Sequence, residues 1–246
     1  MSIADLFKWY CTVLAWSIMA HAHCQLPFHR SFTMADGLPS NKVYRAIQDR
    51  EGFMWFATDN GVARFDGLEF LNLSLADGIS DTEVIMIQED HEGRIWFLTL
   101  NGMLSYWKDG SIFNERNDQR LEGIYATAGW STMAVDEHGA LWFGALSGEL
   151  VRLDMSSGKH RFVGASSSKR NVFQDAKGEV LALGAGFLYQ LDSTGQELLS
   201  DLGDAVHSTH IYPSGECGMD PLIMKGGLLY QVSSSGVSLL LDGPKL

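Results

Sequence analysis

The sequence predicts an all-β fold assembled from repeated four-stranded antiparallel sheets, and three observations predict it. A turn signature, Asp-x-x-Gly-x-x-Trp, recurs at a period of roughly 40 residues. Between the signatures the chain breaks into short apolar runs bounded by Asn-Gly and Asp-Gly pairs, the strongest short-range hairpin signal. No segment keeps helical spacing of apolar residues for about ten positions. That period suits helical solenoids or propeller blades, and four short strands per unit select a β-propeller.

The copies run in order. Asp49, Gly52 and Trp55 open the series, followed by Asp90, Gly93 and Trp96, then Asp136, Gly139 and Trp142. A fourth copy keeps Asp175 and Gly178 but carries Leu181 in place of the Trp. A fifth is blurred, with Ser214-Gly215 at its expected turn and Gly226-Gly227-Leu228-Leu229-Tyr230 echoing the fourth. The sequence thus predicts four clear blades and one degenerate one, over about 43–80, 81–120, 121–165, 166–203 and 204–246. Within the first, strands are expected at Val43–Gln48, Phe53–Thr58, Val62–Phe65 and Leu68–Leu73; within the second, at Glu83–Gln88, Arg94–Thr99, Met103–Trp107 and Ser111–Asn114. Glycine supplies the positive φ of the turns, and Asp or Asn bonds back to the turn backbone. The Trp is expected to fill the gap between stacked sheets, removing roughly 150–250 Å² from water. Packing should loosen where Leu181 replaces it.

The ends carry their own signals. Trp9–Ala20 is an apolar run closed by Ala20-His21-Ala22, which reads as a secretory signal peptide over residues 1–24. The run is shorter than the roughly 20 residues a membrane span needs. Residues 25–42 form a lead-in, in which Phe28–Thr33 is expected as a ring-closing strand. About five blades at roughly 40 residues each, with a degraded last one, predict an incomplete ring and self-association or dependence on downstream blades. Of three cysteines, Cys11 leaves with the signal; Cys24 and Cys217 allow one disulfide, with a lone thiol at Cys217 favoured.

A net charge of −12 argues against nucleic acid as a partner, and no span beyond the signal segment is expected. No phosphate loop, nucleophile elbow or metal-spaced His/Cys cluster is present, so no catalytic residue, metal or cofactor is expected. His207-x-x-His210 has a strand spacing that sends the rings to opposite faces. The aspartates recur once per blade, which suits turns and not a hydrolytic carboxylate pair. Aromatics outside the repeated positions, Tyr106, Trp107, Tyr125 and Trp130, are the candidates for a ligand surface.

The string Gly52-Phe53-Met54-Trp55-Phe56-Ala57-Thr58-Asp59-Asn60-Gly61-Val62-Ala63-Arg64-Phe65-Asp66-Gly67, with the lead-in Ala35-Asp36-Gly37-Leu38-Pro39-Ser40-Asn41-Lys42-Val43, resembles the two-component regulator propeller repeat. The resemblance implies a periplasmic or extracellular sensor region, of the kind that precedes a β-sandwich, one span and a cytoplasmic output such as a histidine kinase. No kinase motif is present here. The expected function is a non-catalytic ligand-sensing or interaction module for a small molecule or oligosaccharide. The rivals are an exported propeller enzyme acting on glycans, as lyase or glycosidase, and a scaffold for another exported protein.

Overall fold

The computed structural model describes residues 30–163, 169–192, 195–201, 211–212, 220–225 and 228–242. The signal segment 1–24, Phe28, Cys24, Cys217, His207, His210, the Ser214-Gly215 turn and Gly226-Gly227 lie outside the described residues. The chain forms two compact units, Met1–Phe32 and Thr33–Leu246. In the first, Arg30, Ser31 and Phe32 belong to no strand.

The second unit holds five four-stranded antiparallel sheets among the described residues. Sheet 1 is β1 (Val43–Gln48), β2 (Met54–Thr58), β3 (Gly61–Phe65) and β4 (Phe70–Leu73). Sheet 2 is β5 (Val84–Glu89), β6 (Ile95–Thr99), β7 (Leu104–Lys108) and β8 (Ser111–Asn114). Sheet 3 comprises β9 (Trp130–Val135), β10 (Leu141–Ala145), β11 (Leu150–Asp154) and β12 (Lys159–Val163). Sheet 4 comprises β13 (Asn171–Gln174), β14 (Val180–Gly184), β15 (Phe187–Leu191) and β16 (Gln196–Asp201). Sheet 5 comprises β17 (Ile211–Tyr212), β18 (Leu222–Lys225), β19 (Leu228–Ser233) and β20 (Gly236–Asp242). Each sheet is a simple meander in sequence order, the plan of a propeller blade.

The repeated signature has a single physical basis. In each of the first three copies the Asp closes the turn by accepting backbone N–H groups, and also accepts the indole N–H of the Trp six residues on. The indole distances are 2.6 Å for Trp55 to Asp49, 2.8 Å for Trp96 to Asp90 and 3.2 Å for Trp142 to Asp136. The bond satisfies the polar end of a ring that must otherwise be buried at a cost. Each ring then anchors the interface with the next sheet. Trp55 packs among Val84, Ile87 and Phe97 of sheet 2, Trp96 among Met133, Leu141 and Phe143 of sheet 3, and Trp142 among Val172, Val180 and Ala182 of sheet 4. Where Leu181 stands, no indole is available. The free oxygen of Asp175 accepts instead from the backbone N–H of Ser234 on sheet 5, at 2.9 Å. The change in one residue turns an intra-sheet bond into an inter-sheet one.

Two expectations are corrected. Thr33 does not end a ring-closing strand: it caps a one-turn 3-10 helix, Met34–Asp36, its hydroxyl accepting from Ala35 N and Asp36 bonding back. The same device recurs at Ser74 before sheet 2, so the lead-in is a second copy of the inter-blade linker. β4 begins at Phe70, not at Leu68, because the Asp66 carboxylate captures the N–H groups of Leu68 and Glu69, both at 2.8 Å, and extends the turn.

Sheet 1 lacks the cover that sheet 2 enjoys. Val84 and Ile87 on β5 are fully buried, whereas Val43 and Ala46 at the corresponding positions of β1 are exposed.

The turn after β11 makes a local pH prediction. Ser156 and Ser157 hydroxyls donate to Asp154 at 2.6 and 2.8 Å and hold its carboxyl down at about 2. A carboxyl depressed in the folded state contributes stability that is complete above its ordinary value of 3.8 and is lost as pH falls toward about 2. Asp154→Asn should therefore flatten the acid limb of the stability curve over that interval. Parallel curves for the two proteins, measured by denaturant midpoint, would contradict the assignment.

Candidate functional site

A cleft of about 360 Å³ opens between sheets 1 and 2 on the side of the Asp-x-x-Gly turns. Strand register explains how its walls arise. Trp55 on β2 pairs directly with Arg64 on β3, so both side chains project from the same face of sheet 1. On the facing sheet, Trp107 of β7 pairs with Ile95 and Ile112, and all three point back toward Trp55. The Trp55 and Trp107 rings meet edge to face at 5.8 Å.

The Arg64 guanidinium lies against this aromatic wall. Its carbon sits 4.0 Å from the Phe53 ring centre and 5.8 Å from those of both Trp55 and Trp107. Cation–π attraction and stacking fix such a plane without using its edge N–H groups. Among the described residues no carboxylate lies within ion-pair distance of Arg64. Its counterpart in sheet 3, Arg152, also lies over a Trp, 5.9 Å from Trp142, but reaches Asp136 at 3.3 Å. Phe53 accounts for the difference, because it draws the Arg64 plane onto its own ring.

The other lining cations are already committed. Arg50 donates to the carbonyls of Asp90 and His91 at 2.6 and 2.7 Å and pairs with Glu89 at 3.5 Å, tying the turn of sheet 1 to that of sheet 2. Lys108 donates to the Glu92 carbonyl. Burial pushes the Glu89 carboxyl up, against the pull of Arg50. Asp49 accepts the N–H groups of Glu51, Phe53 and Trp55. Glu51 and Asp109 stand exposed on the rim.

Of the four aromatics named from the sequence, the structure brings one to this cleft. Trp107 is half-buried and lines it, and also lines a second, shallower hollow beside Leu71 and Ile112. Tyr106 is corrected to the core: it is 2% exposed, lies tilted against Trp96, stacks on Phe113, and exchanges hydrogen bonds with Asp118 and Arg120 at 2.7 and 2.8 Å. Burial and the bond to Asp118 push its hydroxyl pKa up. Trp130 is likewise fully buried, its indole donating to Gly102 O at 2.8 Å. Tyr125 is exposed but does not line the cleft. The aspartates, glycines and tryptophans of the signature hold turns and inter-sheet packing. Sequence reasoning missed Arg64 and Phe53. The available signal was a basic residue directly across the hairpin from Trp55, in a repeat whose turn glycine is followed by an aromatic residue.

Residues 37–60 and 78–101 match the family model described as two component regulator propeller. Each match covers a blade's lead-in and its first two strands. Those segments supply β1, β2, β5 and β6, and with them Asp49, Trp55 and Glu89 of the cleft. No curated protein matched the chain. Among solved structures, the chain is similar to a streptogramin B lyase, at 16% identity over 85% of this chain and 71% of that one, with a TM-score of 0.66. It is also similar to the extracellular domains of two proteins of B. thetaiotaomicron described as hybrid two component systems. One is 18% identical over 86% of this chain and 31% of that one, TM-score 0.65; the other is 15% identical over 80% and 27%, TM-score 0.57. This chain spans about a third of those sensor chains or less. Such identities establish the propeller fold. No helix among the described residues is long and apolar enough to cross a membrane.

Proposed function

We propose that this chain is the extracytoplasmic ligand-sensing propeller of a two-component-type signalling receptor, and that the cleft between sheets 1 and 2 takes the ligand. One observation carries the reading. The two segments that match the sensor repeat supply the first two strands of each of the two sheets that flank an aromatic-walled cleft of ligand size. The likeness to extracellular sensor domains supports an extracytoplasmic location, and the apolar run with its Ala20-x-Ala22 site supports export by a signal peptide. In a sensor the protein needs only to bind, so the chemistry required is a preformed, rigid recess on paired blades.

The lyase likeness favours a second reading, an exported enzyme that cleaves by elimination, and it rests on fold alone. One experiment separates the two. The protein purified from the periplasm is incubated with fractionated small-molecule extracts, while melting temperature and new unsaturated products are followed together. A fraction that raises the melting temperature and is recovered unchanged supports sensing. Conversion of the active compound would overturn it in favour of the enzyme.

A further inference from the structure

We propose that the cleft selects a compact ring compound bearing a single oxyanion group, with Arg64 as its anion receptor and Trp107 as its stacking wall. The inference rests on the cleft being the ligand site. It follows from which groups there are spent and which are not. Asp49 accepts three N–H groups, Arg50 bridges two turns and Lys108 is bonded to the Glu92 carbonyl. Arg64 alone among the lining cations has no hydrogen-bond or ion-pair acceptor among the described residues; its plane rests on rings, and its charge is felt by Asp66 without direct contact. A guanidinium presents five donors in a planar fork suited to a carboxylate or sulfate, and such charge-assisted bonds are about twice as strong as neutral ones. A half-buried site weakens competition from water, so an incoming oxyanion regains what the free guanidinium lacks.

The remaining geometry limits the rest of the ligand. Trp107 is half-exposed beside Arg64, which offers a flat apolar face to a ring whose anionic group has reached the guanidinium. The exposed acids Glu51, Glu92 and Asp109 on the rim repel a second negative charge, so a singly charged ligand is favoured over a polyanion. Their effect at a distance is screened within about 8 Å at physiological salt.

The test uses the full chain and four named probes: benzoate, benzyl alcohol, benzylammonium and inorganic sulfate. Trp107 fluorescence and ¹⁹F-tryptophan shifts report occupancy, and melting curves confirm that each variant is folded. Benzoate should bind at least tenfold more tightly than the alcohol or the amine, with sulfate intermediate. Arg64→Gln should erase that preference and Arg64→Lys should restore part of it; in Trp107→Ala, where the Trp55 resonance reports occupancy, benzoate should bind more weakly and sulfate as before. Equal binding of benzoate and benzyl alcohol overturns the anion assignment while leaving the cleft as a binding site. Failure of every probe to perturb Trp107 overturns the inference and the reading of the cleft together.

Discussion

Trp96→Ala should destabilise the protein by about 3–5 kcal/mol, the range for deleting a large aromatic from a packed interior. Trp96 is fully buried, and its ring lies 4.8 Å from Tyr106 within its own sheet and 5.6 Å from Phe143 of sheet 3. Truncation opens a cavity between two sheets. It also removes one of the two donors to an oxygen of Asp90, which is itself 1% exposed, leaving Arg94 at 2.6 Å as the other. Chemical denaturation of the wild type, Trp96→Ala and the control Tyr125→Ala measures the effect. The control should be near neutral, since Tyr125 is 60% exposed. A near-neutral Trp96→Ala would mean that the ring is not buried between sheets.

Gly102→Ala should be comparably severe, for a different reason. Gly102 has φ of 84°, where a side chain costs about 1 kcal/mol or somewhat more. Here an added Cβ would also lie 1.9 Å from the carbonyl oxygen of Ala126 and 2.9 Å from its carbon. Both atoms are backbone, so no rotamer change relieves the clash. The same loop is held by Ala126 N donating to Gly102 O at 3.0 Å and by the Trp130 indole donating to that oxygen. Moving one bond moves both. A loss of roughly 3–5 kcal/mol is expected, the upper range for single substitutions. Gly139→Ala separates the two causes: φ is 80°, yet a Cβ there meets nothing within 4 Å. It should cost only the conformational penalty. Equal losses at both positions would contradict the clash.

Much of the fold was legible because its signals are local. Paired turns such as Asn101-Gly102 and Asp109-Gly110 demand positive φ, and both glycines have it. Alternation then assigns faces, and the third repeat obeys the same logic as the first two. The strand starts at Phe70 and Ile95 were displaced from the sequence reading by side-chain capture of the turn backbone, at Asp66 and Asp90 respectively. That competition is invisible to apolar patterning. The lead-in was misjudged because Thr33 was weighed as a strand residue. Its capping partner Asp36, three positions on, matches Ser74 and Asp77, which was the signal available.

The candidate site was legible only in part. Trp107 stood out because it breaks the repeat, and it does line the cleft. Tyr106 and Trp130 also break the repeat, but they are buried, because the sheet 2–sheet 3 interface recruits extra rings around Phe143. Departure from a repeat identifies a special environment without distinguishing a wet one from a dry one. Arg64 escaped notice for the opposite reason. Its importance comes from having rings against it and no carboxylate within ion-pair distance among the described residues, which is a property of three strands brought together and of no stretch of sequence.

Ligand capture between sheets 1 and 2 is tested most directly by ¹⁹F NMR of the tryptophan-labelled protein, titrated with the extract fraction that raises its melting temperature. The Trp107 resonance should move most and Trp55 less, while Trp130 and Trp142, fully buried elsewhere, should stay in place. A saturating ligand that shifts Trp130 or Trp142 and leaves Trp107 unmoved would contradict the account.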